Sequence, residues 1–354
     1  MFARTLPRLR SAELGLLNQI GNQHGKAASA QIERCIHFYS GMFQQSSSLL
    51  WNDVLDLASG FAEKILSSWP EYYEEMEGIA DGAGRSTLDI IALNVRTEIA
   101  FGCFSDGCTS LSWQTEERSF LAQNWDWLPA QKENLVALEI TSPHKPPIKM
   151  ITEAGIIGKI GLNSAGVGVC LNAIRAKGVD KFRIPVHLAL RKALKSPSAT
   201  EAMATLTSTG VASSAHILIA DTQVSLGGEF TSTTSTVIHA DAQGRVAHSN
   251  HLLLEHSGVF DTNWLSDSPF RVQRILKLCD DLGDGELDWE GVSGLFTDRL
   301  NAPAAICRTG ELETVFNIVM ELRSRRAIVK VGLPDQPEEV VEFRFDDEGS
   351  LGRK

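Results

Sequence analysis

Cys108 is the residue best placed to do chemistry in this chain, because of its neighbours. It stands in Asp106-Gly107-Cys108-Thr109-Ser110, and a strand-like run, Ser119 to Trp127, follows and ends in Gln123-Asn124-Trp125-Asp126-Trp127. Glycine has no Cβ, so its peptide tolerates strained angles and its carbonyl is open to attack. The Cys108 thiol can attack the Gly107 carbonyl, shift the acyl group from nitrogen to sulfur, and let water release residues 1–107. Cys108 would then carry nucleophile and base together, an α-amine titrating near ~8 beside a thiol near ~8.5. Against this stands the ordinary use of cysteine as a small buried hydrophobe. Gly102-Cys103 is a second pair of the same kind, so spacing alone leaves the choice between the two cysteines open.

Acyl transfer also needs a group to hold the amine or thiol and donors for a tetrahedral oxyanion. Asp126 ends the strand after the nucleophile, where a hairpin would return it to Cys108. Asn250 lies in His248-Ser249-Asn250-His251, inside an apolar stretch where its amide must find partners. Arg308 follows Ile306-Cys307 on an expected short strand, and Asn172 closes Val169-Cys170-Leu171-Asn172. Singly, each has a blander reading: an Asp at a strand end caps a turn, and an Arg makes a surface ion pair.

The elements that must position these groups change character along the chain. Residues from about His24 to Arg96 read as helical, with Val54, Ala58, Phe61 and Ile65 on one stripe. Pro70 is suited to open a helix after Trp69, and Ser86 with Asp89 forms a capping-box pattern. The acidic run Glu71 to Glu77 reads as a solvated helix face. After Cys108 come short β-branched runs, Leu135 to Ile140, Ile148 to Thr152 and Val167 to Ala173. Two helices follow, Val186 to Leu194 and Thr200 to Thr207. Strands are expected again at His216 to Ala220, Val246 to Leu254, Val315 to Met320, Ala327 to Val331 and Val340 to Phe345. Helices near Pro269 to Leu282 and Trp289 to Arg299 lie between them. Strands grouped apart from helices predict an α+β fold of antiparallel sheets covered by helices. The tract Thr231 to Thr236 reads as a loop or exposed edge.

Other motifs fail on spacing. Gly161-Leu162-Asn163-Ser164-Ala165-Gly166 misses the nucleophile elbow by one residue, and Gly166-Val167-Gly168 lacks a dinucleotide context. His239, His248, His251 and His256 cluster without metal-binding spacing or carboxylate partners, so no metal site is expected. The net charge of −11 argues against a nucleic-acid partner and would repel an anionic substrate unless a local basic surface received it. The six cysteines form no CxxC pair, which points to a reducing compartment. With no signal-peptide core, no membrane-length apolar run and no peroxisomal tripeptide at Arg353-Lys354, a cytoplasmic location is expected.

Taken together, the residues resemble the fungal isopenicillin N acyltransferases, the acyl-coenzyme A:6-aminopenicillanic acid acyltransferases. The likeness rests on Trp69-Pro70-Glu71-Tyr72-Tyr73-Glu74-Glu75, Leu93-Asn94-Val95-Arg96-Thr97-Glu98, Asp106-Gly107-Cys108-Thr109 and Gln123-Asn124-Trp125-Asp126. It continues through Ile151 to Lys159, Asn163 to Val167, Asn250-His251 and Ile306-Cys307-Arg308, and it favours Cys108 over Cys103. The resemblance implies an N-terminal nucleophile (Ntn) hydrolase fold, a four-layer αββα sandwich. It implies self-cleavage before Cys108, into residues 1–107 and residues 108–354 that stay associated as one domain. Mature Cys108 would take an acyl group from a thioester, with acyl-CoA as candidate substrate and no cofactor, or from an amide. It would pass that group to a β-lactam-type amine or to water. Asp126, Asn250 and Arg308 match positions tied to processing, oxyanion binding and site electrostatics.

Three departures qualify the likeness. Met1 to Gln23 matches the usual opening strand poorly, which leaves the first sheet edge in question. Thr231 and Thr234 stand where the penicillin enzymes carry serines, which marks them, with Asn172, as substrate-binding candidates. The chain end lacks the peroxisomal signal of the penicillin pathway enzymes. An N-acyl amide hydrolase with another substrate, or a non-catalytic relative that binds a ligand, are the competing readings.

Overall fold

The computed structural model describes residues 6–12, 17–100, 107–142, 144–262, 265–283, 285 and 287–345. Cys103, Asp106 and the chain end therefore lie outside the described residues. Strand β1 (Arg8–Ala12) is followed by six helices: α1 (Leu17–Ala27), α2 (Ser29–Ser47), α3 (Trp51–Ser68), α4 (Pro70–Ala83), α5 (Thr87–Asn94) and α6 (Arg96–Ala100). Strands β2 (Gly107–Gln114) and β3 (Ser119–Trp127) come next, then a 3-10 turn (Pro129–Asn134). Strands β4 (Leu135–Thr141), β5 (Ile148–Glu153), β6 (Ile160–Asn163) and β7 (Gly168–Ala173) lead to helices α7 (Val186–Leu194) and α8 (Ala199–Thr209). The chain continues as β8 (Ala215–Ala220), β9 (Ser225–Phe230), β10 (Ser235–His239), β11 (Arg245–His248), α9 (Ser268–Leu282) and α10 (Trp289–Leu295). It closes with β12 (Glu313–Glu321), β13 (Arg326–Leu333) and β14 (Gln336–Arg344).

Two sheets stack face to face. One has the order β1-β4-β5-β6-β7-β8-β9-β10 and the other β11-β2-β3-β12-β13-β14. Serines and polar groups meet across the gap, as in the 2.6 Å contact of Ser112 with Ser225. Helices α7 and α8 cover the eight-stranded sheet, and α9 and α10 cover the other. This is the α+β, four-layer αββα arrangement the resemblance implies. Leu111, Trp113, Phe120 and Ala122 pack with Val272, Ile275 and Phe296 in a separate core under α9 and α10. Among the described residues no helix is long and apolar enough to cross a membrane.

Local signals explain many boundaries. Ser86 Oγ accepts from Asp89 N and Asp89 Oδ2 from Ser86 N, both at 3.1 Å, which caps α5 as its sequence pattern requires. Helices α1 and α4 cross where glycines face backbone: a Cβ on Gly21 would lie 1.9 Å from the Glu75 carbonyl oxygen, and one on Gly78 2.0 Å from that of Asn18. Only glycine allows that approach.

Several expectations are corrected. The first sheet edge exists: β1 pairs with β4, and in parallel, Arg8 opposite Ala137. Strand β11 stops at His248, because Ser249 and Asn250 turn away to bond Cys108 and α9. Arg308 is on no strand; it lies in the irregular segment before β12. Helix α10 ends at Leu295 rather than Arg299. Glu75 is not part of a solvated face: it is buried and paired to Arg191 at 2.9 Å.

Candidate active site

Strand β2 carries the nucleophile candidate at its second residue. Alternation along a strand sends successive side chains to opposite faces. Leu111 and Trp113 join the core under α9 and α10, and Ser110 Oγ reaches Asn172 Oδ1 of the other sheet at 2.6 Å. Cys108 shares the face of Ser110, between the sheets, and is fully buried. Gly107 and Thr109 share the outer face. Register sets Gly107 opposite Asp126 and Cys108 opposite Trp125. A Cβ on Gly107 would stand 3.1 Å from Asp126 Cβ and Oδ2, a tight contact to which the carboxylate would have to give way by a few tenths of an ångström.

The Cys108 backbone is held by three side chains, two from the turn after β11 and one from α9. Its N–H donates to Asn250 Oδ1 at 2.9 Å. Its carbonyl accepts from Ser249 Oγ at 2.9 Å and from Arg271 Nη1 at 2.5 Å. Arg271, on α9, also donates to Thr109 Oγ1 at 3.0 Å and to Asn250 Oδ1 at 2.8 Å. Because arginine has no acceptor, that contact fixes which end of the Asn250 amide is oxygen. Asn250 Nδ2 then donates to the Ala173 carbonyl at 3.0 Å.

Behind this peptide lie four charges, of which Asp126, Arg271 and Arg308 are buried and Asp267 is half-buried. Asp267 Oδ2 accepts from Arg271 Nε at 2.6 Å and also from Arg308 Nη2. Arg308 Nε lies 3.5 Å from Asp126 Oδ2, an ion contact too long for a hydrogen bond. Thr314 Oγ1 donates to Asp126 Oδ1 at 2.7 Å, while Oδ2 has no hydrogen-bond donor. Burial pushes the Asp126 carboxyl above its usual value, against the pull of Arg308 and Arg271. Burial likewise lowers the Arg271 guanidinium, with Asp267 and Asp126 opposing.

The structure thus brings Gly107, Cys108, Asp126, Asn250 and Arg308 together. Asn172 lies one alternation from Cys108: its Oδ1 also contacts His216 Nδ1 at 2.9 Å, and its Nδ2 is buried without a hydrogen-bond partner. Thr231 and Thr234 are joined to this site only through a relay. Their hydroxyls touch at 2.8 Å, Thr234 contacts His256 Nδ1 at 2.7 Å, and Glu229 accepts from His256 at 3.1 Å and His248 at 2.8 Å. The His248 ring stacks on His216, centroids 3.6 Å apart. The histidine cluster therefore does have a carboxylate partner, Glu229, which pattern reading missed because it lies on β9. Among the described residues no group is arranged to hold a metal ion.

Sequence reasoning also missed Arg271, Asp267, Ser249 and Thr314. A signal for Arg271 existed: the buried face of α9 runs Ser268, Arg271, Val272, Ile275, Cys279, so the arginine stands inside an apolar stripe. Three other thiols are deeply buried. Burial raises Cys279 and Cys307 to about 12 and Cys170 further, so they are inert near neutrality.

Comparisons with known proteins place the chain in a family. The family model described as acyl-coenzyme A:6-aminopenicillanic acid acyl-transferase matches residues 113–336, which include Asp126, Asn250 and Arg308 but begin after Cys108. The 40 kDa form of acyl-coenzyme A:6-aminopenicillanic-acid-acyltransferase from Emericella nidulans is 39% identical over 342 residues, 94% of this chain and 95% of that protein. Among solved structures, a Caenorhabditis elegans N-acylethanolamine-hydrolyzing acid amidase ortholog is 18% identical with a TM-score of 0.48, covering 60% of this chain and 92% of that one. Penicillin V acylase from Agrobacterium tumefaciens is 12% identical with a TM-score of 0.49, covering 67% and 86%.

Proposed function

Because the chain belongs to the acyl-coenzyme A:6-aminopenicillanic acid acyltransferase family, we propose that it activates itself by cleavage between Gly107 and Cys108. It is an acyltransferase or amidase of that family, and Cys108 is the residue that carries the acyl group. The observation that supports this most strongly is the grip on the Cys108 backbone by Asn250, Ser249 and Arg271, beside a glycine packed closely against Asp126.

In the first step the Cys108 thiol adds to the Gly107 carbonyl and the C–N bond breaks. The sulfur keeps the acyl group, and the nitrogen takes the thiol proton. Water then hydrolyses this thioester, leaving a carboxylate on Gly107 and a free amine on Cys108. In turnover that amine accepts the thiol proton as sulfur attacks a thioester or amide, and the leaving thiol or amine takes the proton away. A β-lactam-type amine or water then attacks the acyl-sulfur bond. Asp126 orients the new terminus, Asn250 Nδ2 donates to the oxyanion, and Arg308 with Arg271 offsets developing negative charge. Asn172, with its unpartnered buried Nδ2, and the Thr231–Thr234 turn contact substrate.

The two segments remain joined after cleavage through polar contacts buried between them. Arg96 and Tyr39 of the first segment meet Glu153 of the second, and Glu75 meets Arg191. Intact mass under denaturing conditions tests the reading. Two fragments split at Gly107/Cys108 and summing to 38.7 kDa plus one water are expected; a single uncleaved species with full thiol-dependent turnover would overturn it.

A further inference from the structure

An enzyme with a net charge of −11 repels a phosphate-bearing acyl donor unless a local surface reverses that field. The loop from β7 to α7, residues 174–185, carries Arg175, Lys177, Lys181 and Arg183 against the single acid Asp180. It departs from Ala173, whose carbonyl accepts from Asn250 Nδ2, so its base is bonded to the proposed oxyanion donor. A second loop, 251–262, departs from Asn250 itself. The two are tied together by the bridge between Ala176 and Asp261 and by Thr262, whose N–H and Oγ1 donate to the Arg175 carbonyl at 3.1 and 2.9 Å.

The basic loop is braced rather than loose. Arg183 donates to the Thr231 and Thr233 carbonyls at 3.4 and 3.2 Å and meets Asp180 at 3.4 Å. Gly178 presses on the same turn, where a Cβ would lie 2.3 Å from Ser232 Oγ. What this frame presents outward is cationic and aromatic. Lys177 and Lys181 are exposed. Phe182 and Phe260, 68% and 79% exposed, are the two most exposed large hydrophobics among the described residues. Lys181 Nζ stands 5.7 Å from the Phe182 ring centroid. Opposing charges are near: Glu255 and Asp261 lie on the facing loop, and Asp56 and Glu98 share a cleft with Lys181. Lys177 is the cleaner cation.

We propose that this rim binds the nucleotide end of a coenzyme A-type thioester. Lys177 and Lys181 meet its phosphates, Phe182 and Phe260 offer flat faces to its purine, and the thioester arm descends past Asn250 to Cys108. The proposal rests on the acyl-transfer reading, and its test separates the two. One acyl group is presented to the mature enzyme as thioesters of coenzyme A, of 4′-phosphopantetheine and of N-acetylcysteamine, which carry nucleotide plus phosphates, one phosphate, and neither.

In Lys177→Glu/Lys181→Glu the KM for the coenzyme A thioester should rise about tenfold. Its kcat, its self-cleavage and its KM for the N-acetylcysteamine thioester should not change. Added salt should raise the wild-type KM for the coenzyme A thioester and close the gap. Phe182→Ala should raise KM for the coenzyme A thioester and leave the phosphopantetheine thioester unaffected. Equal effects on all three donors, or none, would overturn the proposal while turnover of the uncharged thioester kept the acyl-transfer reading standing. Wild-type enzyme inert toward all three would bring down that reading instead. Binding to phosphatidylserine vesicles that the double variant loses, with its coenzyme A KM unmoved, would also overturn it, in favour of a membrane surface.

Discussion

Two buried charge clusters lie at different depths of this molecule, and their carboxylates are treated in opposite ways. Glu153, at the seam between the first helices and the eight-stranded sheet, is saturated. Tyr39 and Gln131 donate to Oε1, the latter at 2.7 Å, while Arg96 at 2.7 Å and Lys159 serve Oε2. Burial works against its charge, yet Arg96 and Lys159 hold it well below the usual glutamate value. Asp126, behind the nucleophile, has one donor, an arginine at 3.5 Å and an oxygen without a hydrogen bond, and burial pushes it up. A saturated cluster is a fastener. An undersatisfied one beside the Gly107–Cys108 peptide is free to answer to a new charge or donor there.

The clearest break in that comparison comes from the nucleophile. Cys108→Ala should leave a single chain near 38.7 kDa on denaturing mass spectrometry and abolish turnover, with the fold retained by circular dichroism. Arg271→Met should come next, slowing self-cleavage by up to about 10²-fold, because the Cys108 carbonyl and Asn250 Oδ1 that position the scissile peptide lose a shared anchor. The rate of precursor disappearance reports it, and Arg271→Lys should recover only part because a single ammonium cannot span the four acceptors that the guanidinium fork reaches.

The fastener should answer in stability rather than rate. Glu153→Gln leaves Lys159 and Arg96 buried without their anion and should cost about 3–5 kcal/mol in urea unfolding near neutrality. A lowered folded-state pKa means that the stabilisation is complete above the ordinary glutamate value. The advantage of wild type over Glu153→Gln should therefore shrink once pH falls below about 4.3, and vanish toward the lowered folded value. An advantage independent of pH across that range would assign Glu153 a packing role only. The smallest effect belongs to Thr314→Val. Removing the hydrogen bond that favours ionised Asp126 should raise that carboxyl further and move the acid limb of the cleavage rate to higher pH, at a stability cost of about 1 kcal/mol.

How much of this was legible varies by residue. The strand Ser119–Trp127 formed as read and its hairpin returns Asp126 to the Cys108 strand, opposite Gly107, because hairpin register is a local property. The capped helix α5 was legible for the same reason: its signal is local. Arg308 does come to Asp126, but the strand expected to carry it does not exist, since its position depends on contacts with Asp126 and Asp267 far away in sequence. Glu75 was read as solvated because its acidic neighbours are; its partner Arg191 arrives from another layer.

The sequence by itself determined the candidate nucleophile, the glycine before it, the α+β class and the family, because each rests on residue type at short spacing or on motifs in chain order. Only the tertiary structure decided what grips the Cys108 peptide, which carboxylate is saturated, and that a basic loop in an acidic protein opens beside Asn250. Those depend on side chains from α9, β9 and the β7–α7 loop meeting at a few ångströms. Hydrogen bonds and ion contacts fall away beyond that reach, so no local pattern records them.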